Sequence, residues 1–443
     1  MTVSDLTTLA MVTSTRADWG LLKPLAKQLT SIEAIDFHLI VSGTHLLPSF
    51  GQTVSEIISD GFTDIHKVKF DMNGQKTTDT IASTSEALLK YSECFVSLKP
   101  DAIILLGDRF EIFAAAVSAL MLKIPIVHIH GGELTEGALD DALRHCITKM
   151  SSLHFVSTST YQQRVIQMGQ PPETVYLSGA LGLENISQDA CFDLSDDFEK
   201  YSITKNDELI MMTYQPEFYG EISDCSVLEN LLEACLSKTS AKILISYPNA
   251  DSGRDSIVSV INNWQHQYPG RIIAEHSFGR KRYLSLAKRC LFVIGNSSSG
   301  LIEIPSLHVP TINVGGRQKG RVCAKSVINV TTSYEAISKA IEQALNKTFR
   351  ESVKSVENPY SLYTSPSEFI ASTLSNYDYS RINHRFFDLP DNSLTKAELP
   401  TSTLKNNNNK TVETNNIETS VVASTNKVQA DSEDKGSNGK VSG

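Results

Sequence analysis

The chain has no paired-cysteine pattern. Its seven cysteines, Cys94, Cys146, Cys191, Cys225, Cys235, Cys290 and Cys323, are odd in number and widely spaced, with no CxxC pair. That excludes a disulfide framework and a zinc ribbon, and assigns most of them to small core positions in a reducing compartment. No apolar run approaches the roughly 18–20 residues that span a bilayer, so no membrane partner is expected. Met1 leads into Ser, Asp and Thr, not into a basic segment with an apolar core, so no signal peptide is read and a cytoplasmic location is expected. A positive excess is also missing: the formal charge is -10, which argues against nucleic acid as a partner. Nothing in the sequence demands a metal or an organic cofactor. What remains is an ordinary globular balance, 41% hydrophobic and 20% charged, over 443 residues, enough for two or three domains.

Short apolar runs alternate with helical patterns from Thr8 to about Ala180. The runs are Leu9–Thr13, Phe37–Val41, Ala102–Leu106, Ile124–Ile129, Leu153–Val156 and Val175–Leu177. Nearly unbroken apolar stretches of this length read as strands of a parallel sheet covered on both faces. Leu21, Leu22, Leu25 and Leu29 recur at helical spacing between them, as do Ile112, Val117 and Leu120. After a polar stretch containing Asp193-Leu194-Ser195-Asp196-Asp197 the rhythm restarts, with strands expected at Leu209–Met212, Ile243–Ile245, Ile272–Ala274, Leu291–Ile294, Thr311–Val314 and Val327–Val330. The division expected is therefore a first α/β domain over 1–182, a linker over 183–207, a second α/β domain over 208–375 and a disordered tail over 376–443. Two doubly wound parallel sheets imply a cleft, with ligands at the carboxyl ends of the strands.

Four motifs sit at such ends. Thr13-Ser14-Thr15-Arg16-Ala17-Asp18 follows the first strand and opens a helix, whose N–H groups and Arg16 suit an anion. Gly107-Asp108-Arg109 follows another strand; an Asp there is either a functional acid or a plain helix cap. The densest is His128-Ile129-His130-Gly131-Gly132-Glu133 with Asp140, Asp141, Arg144 and His145. His128 and His130 share one face of a strand end, and Asp140 and Arg144, four apart, face together on a helix. A His-x-His pair without a firm third ligand is weak support for a metal. Several titratable groups around one pocket suit acid/base chemistry better, against the alternative of a salt-bridged helix beside core histidines. Gly295-Asn296-Ser297-Ser298-Ser299-Gly300 and the loop Gly315-Gly316-Arg317-Gln318-Lys319-Gly320-Arg321 together suggest a pyrophosphate site, although serine-rich helix starts are also ordinary caps.

From about Thr8 to about Thr373, these motifs in this order resemble the hydrolysing UDP-N-acetylglucosamine 2-epimerases of sialic-acid pathways. The most specific stretches are Gly107 to Glu111, His128 to Met150 and Gly295 to Arg321. The resemblance implies a GT-B-like fold of two Rossmann-like domains. It also implies anti elimination of UDP from UDP-N-acetylglucosamine to 2-acetamidoglucal, followed by hydration to N-acetylmannosamine. By the same resemblance Asp108 and Asp140 match catalytic acids, and Arg144 orients the sugar or its phosphate. Arg16, Arg109, Ser297, Ser298 and Arg317 match UDP contacts, Glu303 matches the acid on the ribose hydroxyls, and Asn249 lies near the nucleotide. His145 and Gln215 are grouped with the UDP-sugar contacts. The family often dimerises, so a homodimer is expected.

Two positions depart from the pattern. Many members carry Glu where this chain has His130, so His130 or Glu133 is expected to take over proton transfer. Many have His-Pro where this chain has Gln215-Pro216, and Gln carries no positive charge. The nearest rival is hydrolytic epimerisation of UDP-N,N′-diacetylbacillosamine; a silent UDP-sugar-binding protein is the rival from another class.

Overall fold

The computed structural model describes residues 6–72, 77–136, 139–217, 223–248, 253–379 and 385–389. Thirteen strands form two all-parallel sheets among these residues. The first sheet holds β1 (Thr7–Thr13), β2 (Ile35–Ser42), β3 (Ile65–Val68), β4 (Ala102–Leu106), β5 (Ile126–Ile129), β6 (Leu153–Val156) and β7 (Val175–Leu177), in the order β3-β2-β1-β4-β5-β6-β7. The second holds β8 (Leu209–Thr213), β9 (Lys242–Ser246), β10 (Ile272–Glu275), β11 (Cys290–Gly295), β12 (Thr311–Val314) and β13 (Val327–Val330), in the order β10-β9-β8-β11-β12-β13. Each order reverses once, between β1 and β4 and between β8 and β11. These are the switch points where doubly wound sheets bind ligands.

Every expected strand is present. β3 was not expected. Its sequence, Ile-His-Lys-Val, is half polar and short, which suits an edge strand that no apolar run announces.

The helices follow from stripe and cap. Arg16–Thr30 begins at Thr15, whose side chain accepts from Asp18 N–H while the Asp18 carboxylate accepts from Thr15 N–H. Its Leu22, Leu25 and Leu29 are wholly buried, and each such side chain contributes about 1.5–3 kcal/mol.

Three stretches depart from the expected division. The polar linker packs: Ile186, Ala190, Leu194 and Ile203 join a core cluster that also contains Val156 of β6 and Met211 of β8. Arg280 binds Asp189 at 2.8 Å and Arg282 binds Asp197 at 2.8 Å, so two of its acids are paired. The helix Pro366–Ser375, grouped by sequence with the second domain, buries Ile370, Ala371 and Leu374 in the core of the first. Beyond it, in the stretch read as tail, Tyr377 and Tyr379 pack on that same core. Phe387 N–H donates to Gly169 O at 2.9 Å. The remainder of the expected tail, 380–384 and 390–443, lies outside the described residues.

Candidate active site

The carboxyl end of β4 turns at Gly107, whose φ of +83° favours glycine. The turn is pinned from β5. His128 Nε2 donates to Gly107 O at 2.8 Å, which fixes the tautomer, so Nδ1 accepts from Thr148 Oγ1 at 3.1 Å. Both ring nitrogens are committed, and burial pushes the imidazole down to about 4. His128 is therefore a neutral strut under Asp108 and has no lone pair for a metal.

His130 is different. Its φ of +66° ends the strand alternation, so the two histidines take separate partners instead of sharing a strand face. His130 N–H donates to Phe155 O at 2.8 Å, its Nδ1 lies 3.8 Å from Glu133 Oε1, and its buried Nε2 has no hydrogen-bond partner among the described residues. Gly131 and Gly132 allow a close approach by the protein itself. A Cβ on Gly132, at φ +77°, would lie 2.7 Å from Tyr161 O.

Arg144, on the helix Leu139–Met150 and only 2% exposed, gathers the site. One nitrogen, Nη1, donates to Glu133 O at 2.9 Å and to Asp141 Oδ1 at 3.1 Å. The other, Nη2, binds Asp108 and donates to Thr135 Oγ1 at 2.9 Å. The acid paired with Arg144 in this way is Asp141, three residues before it, where the spacing had pointed to Asp140; positions i+3 and i+4 share a helix face. Asp140 is half-buried in the first turn of the same helix. His145 Nε2 stands 3.6 Å from Asp141 Oδ2.

The second sheet contributes Arg321. Its Nη1 lies 3.0 Å from Glu133 Oε2, and its Nε donates to Leu134 O at 3.2 Å. Ser157 Oγ donates to the other Glu133 oxygen at 3.0 Å. Burial works against the charged forms of Asp108 and Glu133, yet the arginines prevail. Arg144, then Arg321 and Arg109, hold Asp108 below the usual carboxylate range, and Arg321, His130 and Arg144 do the same for Glu133. Burial lowers His130, with Glu133 opposing. Ionised carboxylates thus stand beside a neutral imidazole, a combination that can accept and return protons.

The expected nucleotide contacts divide. Arg16 is exposed at its helix start, but the anion satisfying that start is Asp18, which accepts from Ser14 N–H at 2.8 Å and Thr15 N–H at 2.7 Å. Arg109 is held by the buried Glu111 at 2.7 Å. Asn296, wholly buried, clamps the two switch-point loops of the second sheet: its Oδ1 accepts from Gln215 N–H at 2.7 Å and its Nδ2 donates to Gln215 O at 2.8 Å. Arg317 Nη1 donates to Asn296 O at 3.2 Å. Ser297 and Ser298 are half-buried after β11, and the helix they precede, Ser299–Ile302, is a single turn. Glu303 pairs with Arg280 at 2.7 Å. Asn249 lies outside the described residues.

The sequence reading missed Thr135 and Ser157 as members of the cluster, named Asp141 in the densest motif without giving it a role, and placed Arg321 in the pyrophosphate loop.

A family model described as UDP-N-acetylglucosamine 2-epimerase matches residues 27–374. The chain is 36% identical to the polysialic acid biosynthesis protein P7 of Escherichia coli, over 86% of this chain and 97% of that one. It is 35% identical to the hydrolysing UDP-N,N′-diacetylbacillosamine 2-epimerase of Legionella pneumophila, over 76% and 88%. In fold it is similar to the UDP-GlcNAc 2-epimerase of Neisseria meningitidis solved with UDP-GlcNAc bound, with a TM-score of 0.71 at 18% identity, covering 83% of this chain and 99% of that one.

Proposed function

The chain belongs to the UDP-N-acetylglucosamine 2-epimerase family, and from that membership we propose that it is a hydrolysing 2-epimerase converting UDP-N-acetylglucosamine and water to N-acetylmannosamine and UDP. The observation that carries the reading is the convergence of Asp108, His130 and Glu133 on the buried Arg144 and Arg321 at the strand ends of two facing sheets. The first lobe, about 1–182 with the helix Pro366–Ser375 packed on it, carries the proton-transfer groups, and the second, from about 208, holds the UDP.

In the elimination, the C2–H electron pair forms the C1=C2 bond as the C1–O bond breaks, and UDP leaves with the bonding pair. Water then adds its hydroxyl at C1 and a proton at C2. Inversion at C2 needs a proton removed on one face and delivered on the other, so a single group does not suffice. Asp108, held ionised, and His130, held neutral with an Nε2 unbonded among the described residues, supply the pair: one takes the C2 proton, and the other, protonated from the added water, delivers its proton on the opposite face, with Glu133 balancing charge on the imidazole. Asp140 is assigned to the added water. Arg317, with Arg16 and Arg109, offsets charge on the departing pyrophosphate, and Ser297, Ser298, Gln215, His145, Asn249 and Glu303 line the UDP-sugar. No cofactor enters this chemistry. The enzyme acts in the cytoplasm as a homodimer, without a nucleic-acid or membrane partner.

The name and 35% identity of the Legionella relative favour a second donor, UDP-N,N′-diacetylbacillosamine, for the same reaction. Proton NMR in D2O with each donor separates the readings. Free UDP with deuterium at C2 of N-acetylmannosamine supports the first. Turnover of the bacillosamine donor alone supports the second, and silence with both removes the catalytic reading.

A further inference from the structure

We propose that Arg321 is a positioning residue that holds Glu133 against His130, so that the proton-transfer face is complete only while the two lobes are in contact. The proposal rests on the reading of His130 and Glu133 as proton-transfer groups. Arg321 belongs to the loop after β12, whereas Glu133 follows β5, so the pair bridges the two sheets.

The geometry is that of a fork used in two directions. Nη1 meets the Glu133 carboxylate at 3.0 Å, and Nε meets the carbonyl of Leu134 at 3.2 Å. Both side chains are shut from solvent, at 9% and 3% exposure, so water screens the pair little. A single ammonium can satisfy one of these acceptors but not reproduce the planar fork.

The loops around the pair fit each other. Glu136 N–H donates to Lys319 O at 3.3 Å, and a Cβ on Gly320, at φ +87°, would lie 2.8 Å from Leu134 Cδ1. The outer Lys319–Glu136 pair, at 2.8 Å, is exposed and contributes little. The buried Arg321 is therefore the member of this contact that acts on the site.

The consequence for Glu133 follows from burial. Its carboxylate meets Arg321, the Ser157 hydroxyl and His130, while Arg144 grips its backbone carbonyl and the phenols of Tyr161 and Tyr360 stand nearby. Without Arg321 the acid keeps one hydroxyl donor and a neutral imidazole. A carboxyl so enclosed takes up a proton and no longer favours charge on His130.

The test is a double-mutant cycle on the full chain: wild type, Arg321→Ala, Glu133→Gln and the double variant, with Arg321→Lys alongside. UDP release from UDP-N-acetylglucosamine gives kcat and KM, and calorimetry gives the UDP affinity. Arg321→Ala is expected to lower kcat about ten- to a hundredfold while the UDP affinity stays within about threefold. The double variant should be no worse than Glu133→Gln by more than about threefold, because both changes remove one unit. Arg321→Lys should recover part of the lost kcat, and it keeps the charge if the alanine variant does not fold. Effects that multiply, or a fall in UDP affinity parallel to kcat, overturn the proposal, since Arg321 would then act on the substrate directly. Full turnover by Glu133→Gln instead overturns the proton-transfer reading beneath it.

Discussion

His128 Nε2 donates to the carbonyl of Gly107 at 2.8 Å, and through that bond β5 supports the turn that carries Asp108. Protonation would add a proton at Nδ1, which now accepts from Thr148 Oγ1, and would bury a charge, so the folded ring resists it. The unfolded chain takes up its proton near 6.5, whereas burial delays protonation of the folded ring to about 4. The unfolded state therefore binds more protons between these values. The contribution of His128 to stability is fully present above about 6.5 and is lost as pH falls toward 4, by about 3 kcal/mol. Urea unfolding at pH 7 and pH 4 should show this loss in the wild type and a smaller one in His128→Gln. Equal losses in both proteins would place the acid sensitivity elsewhere.

Asp108→Asn keeps the shape of the side chain and removes its charge. The amide cannot serve as a base and meets the Arg144 guanidinium donor to donor on one side. Turnover should fall at least about a hundredfold, the scale of a lost acid–base group. UDP affinity should change little, because the base acts on the sugar. A variant retaining a tenth of wild-type kcat would rule Asp108 out as a base.

Tyr360 closes a buried ring of hydrogen bonds between the lobes. Its hydroxyl donates to Val322 O at 2.9 Å and accepts from Tyr161 at 2.8 Å, while Tyr161 accepts from Val322 N–H at 3.0 Å. Tyr360→Phe leaves the Val322 carbonyl and the Tyr161 proton without these partners. Each such buried group costs about 1–3 kcal/mol. Denaturant midpoints should drop accordingly at unchanged slope; a drop below about 0.5 kcal/mol would mean that water or a neighbour replaces the lost bonds.

The fold was legible where a run of apolar residues had only one use. The runs at Ala102–Leu106 and Thr311–Val314 became β4 and β12 without adjustment. Ile65–Val68 was not legible, because an edge strand with one face outward needs few apolar residues. The linker and the helix Pro366–Ser375 were misread for a shared reason: composition tells how much apolar surface a segment has, not which neighbour covers it. The site shows the same boundary. Asp108 and His130 announced themselves as polar residues ending apolar strands, a local signal. Arg321 and Glu133 meet only because two sheets face each other, and no spacing within either loop encodes that meeting. Asp141 and Asp140 are equally plausible partners for Arg144 by helical period, and the choice was made by Thr135, whose N–H donates to Asp141 Oδ1 at 2.5 Å.

The serine-rich turn after β11 drew attention as a phosphate cradle, but its most committed residue is Asn296. Wholly buried, it holds both backbone groups of Gln215, and its own carbonyl accepts from Arg317 at 3.2 Å and from Gln318 Nε2 at 2.8 Å. Segments meant to contact UDP therefore take their positions from one residue, the Gln215 loop through its side-chain amide and the Arg317–Gln318 loop through its backbone carbonyl. Asn296→Ala frees the Gln215 loop and leaves its N–H and C=O without those bonds, so both stability and nucleotide binding should suffer. Titration calorimetry with UDP should find affinity at least about tenfold weaker, because a misplacement near 1 Å at a positioning loop is enough to produce such a loss. Asn296→Asp keeps the acceptor for Gln215 N–H but turns the donor for Gln215 O into a second acceptor, so it should lie between the two. If Asn296→Ala folds and binds UDP like the wild type, the loops owe their positions to packing alone, and the amide clamp has no part in the nucleotide site.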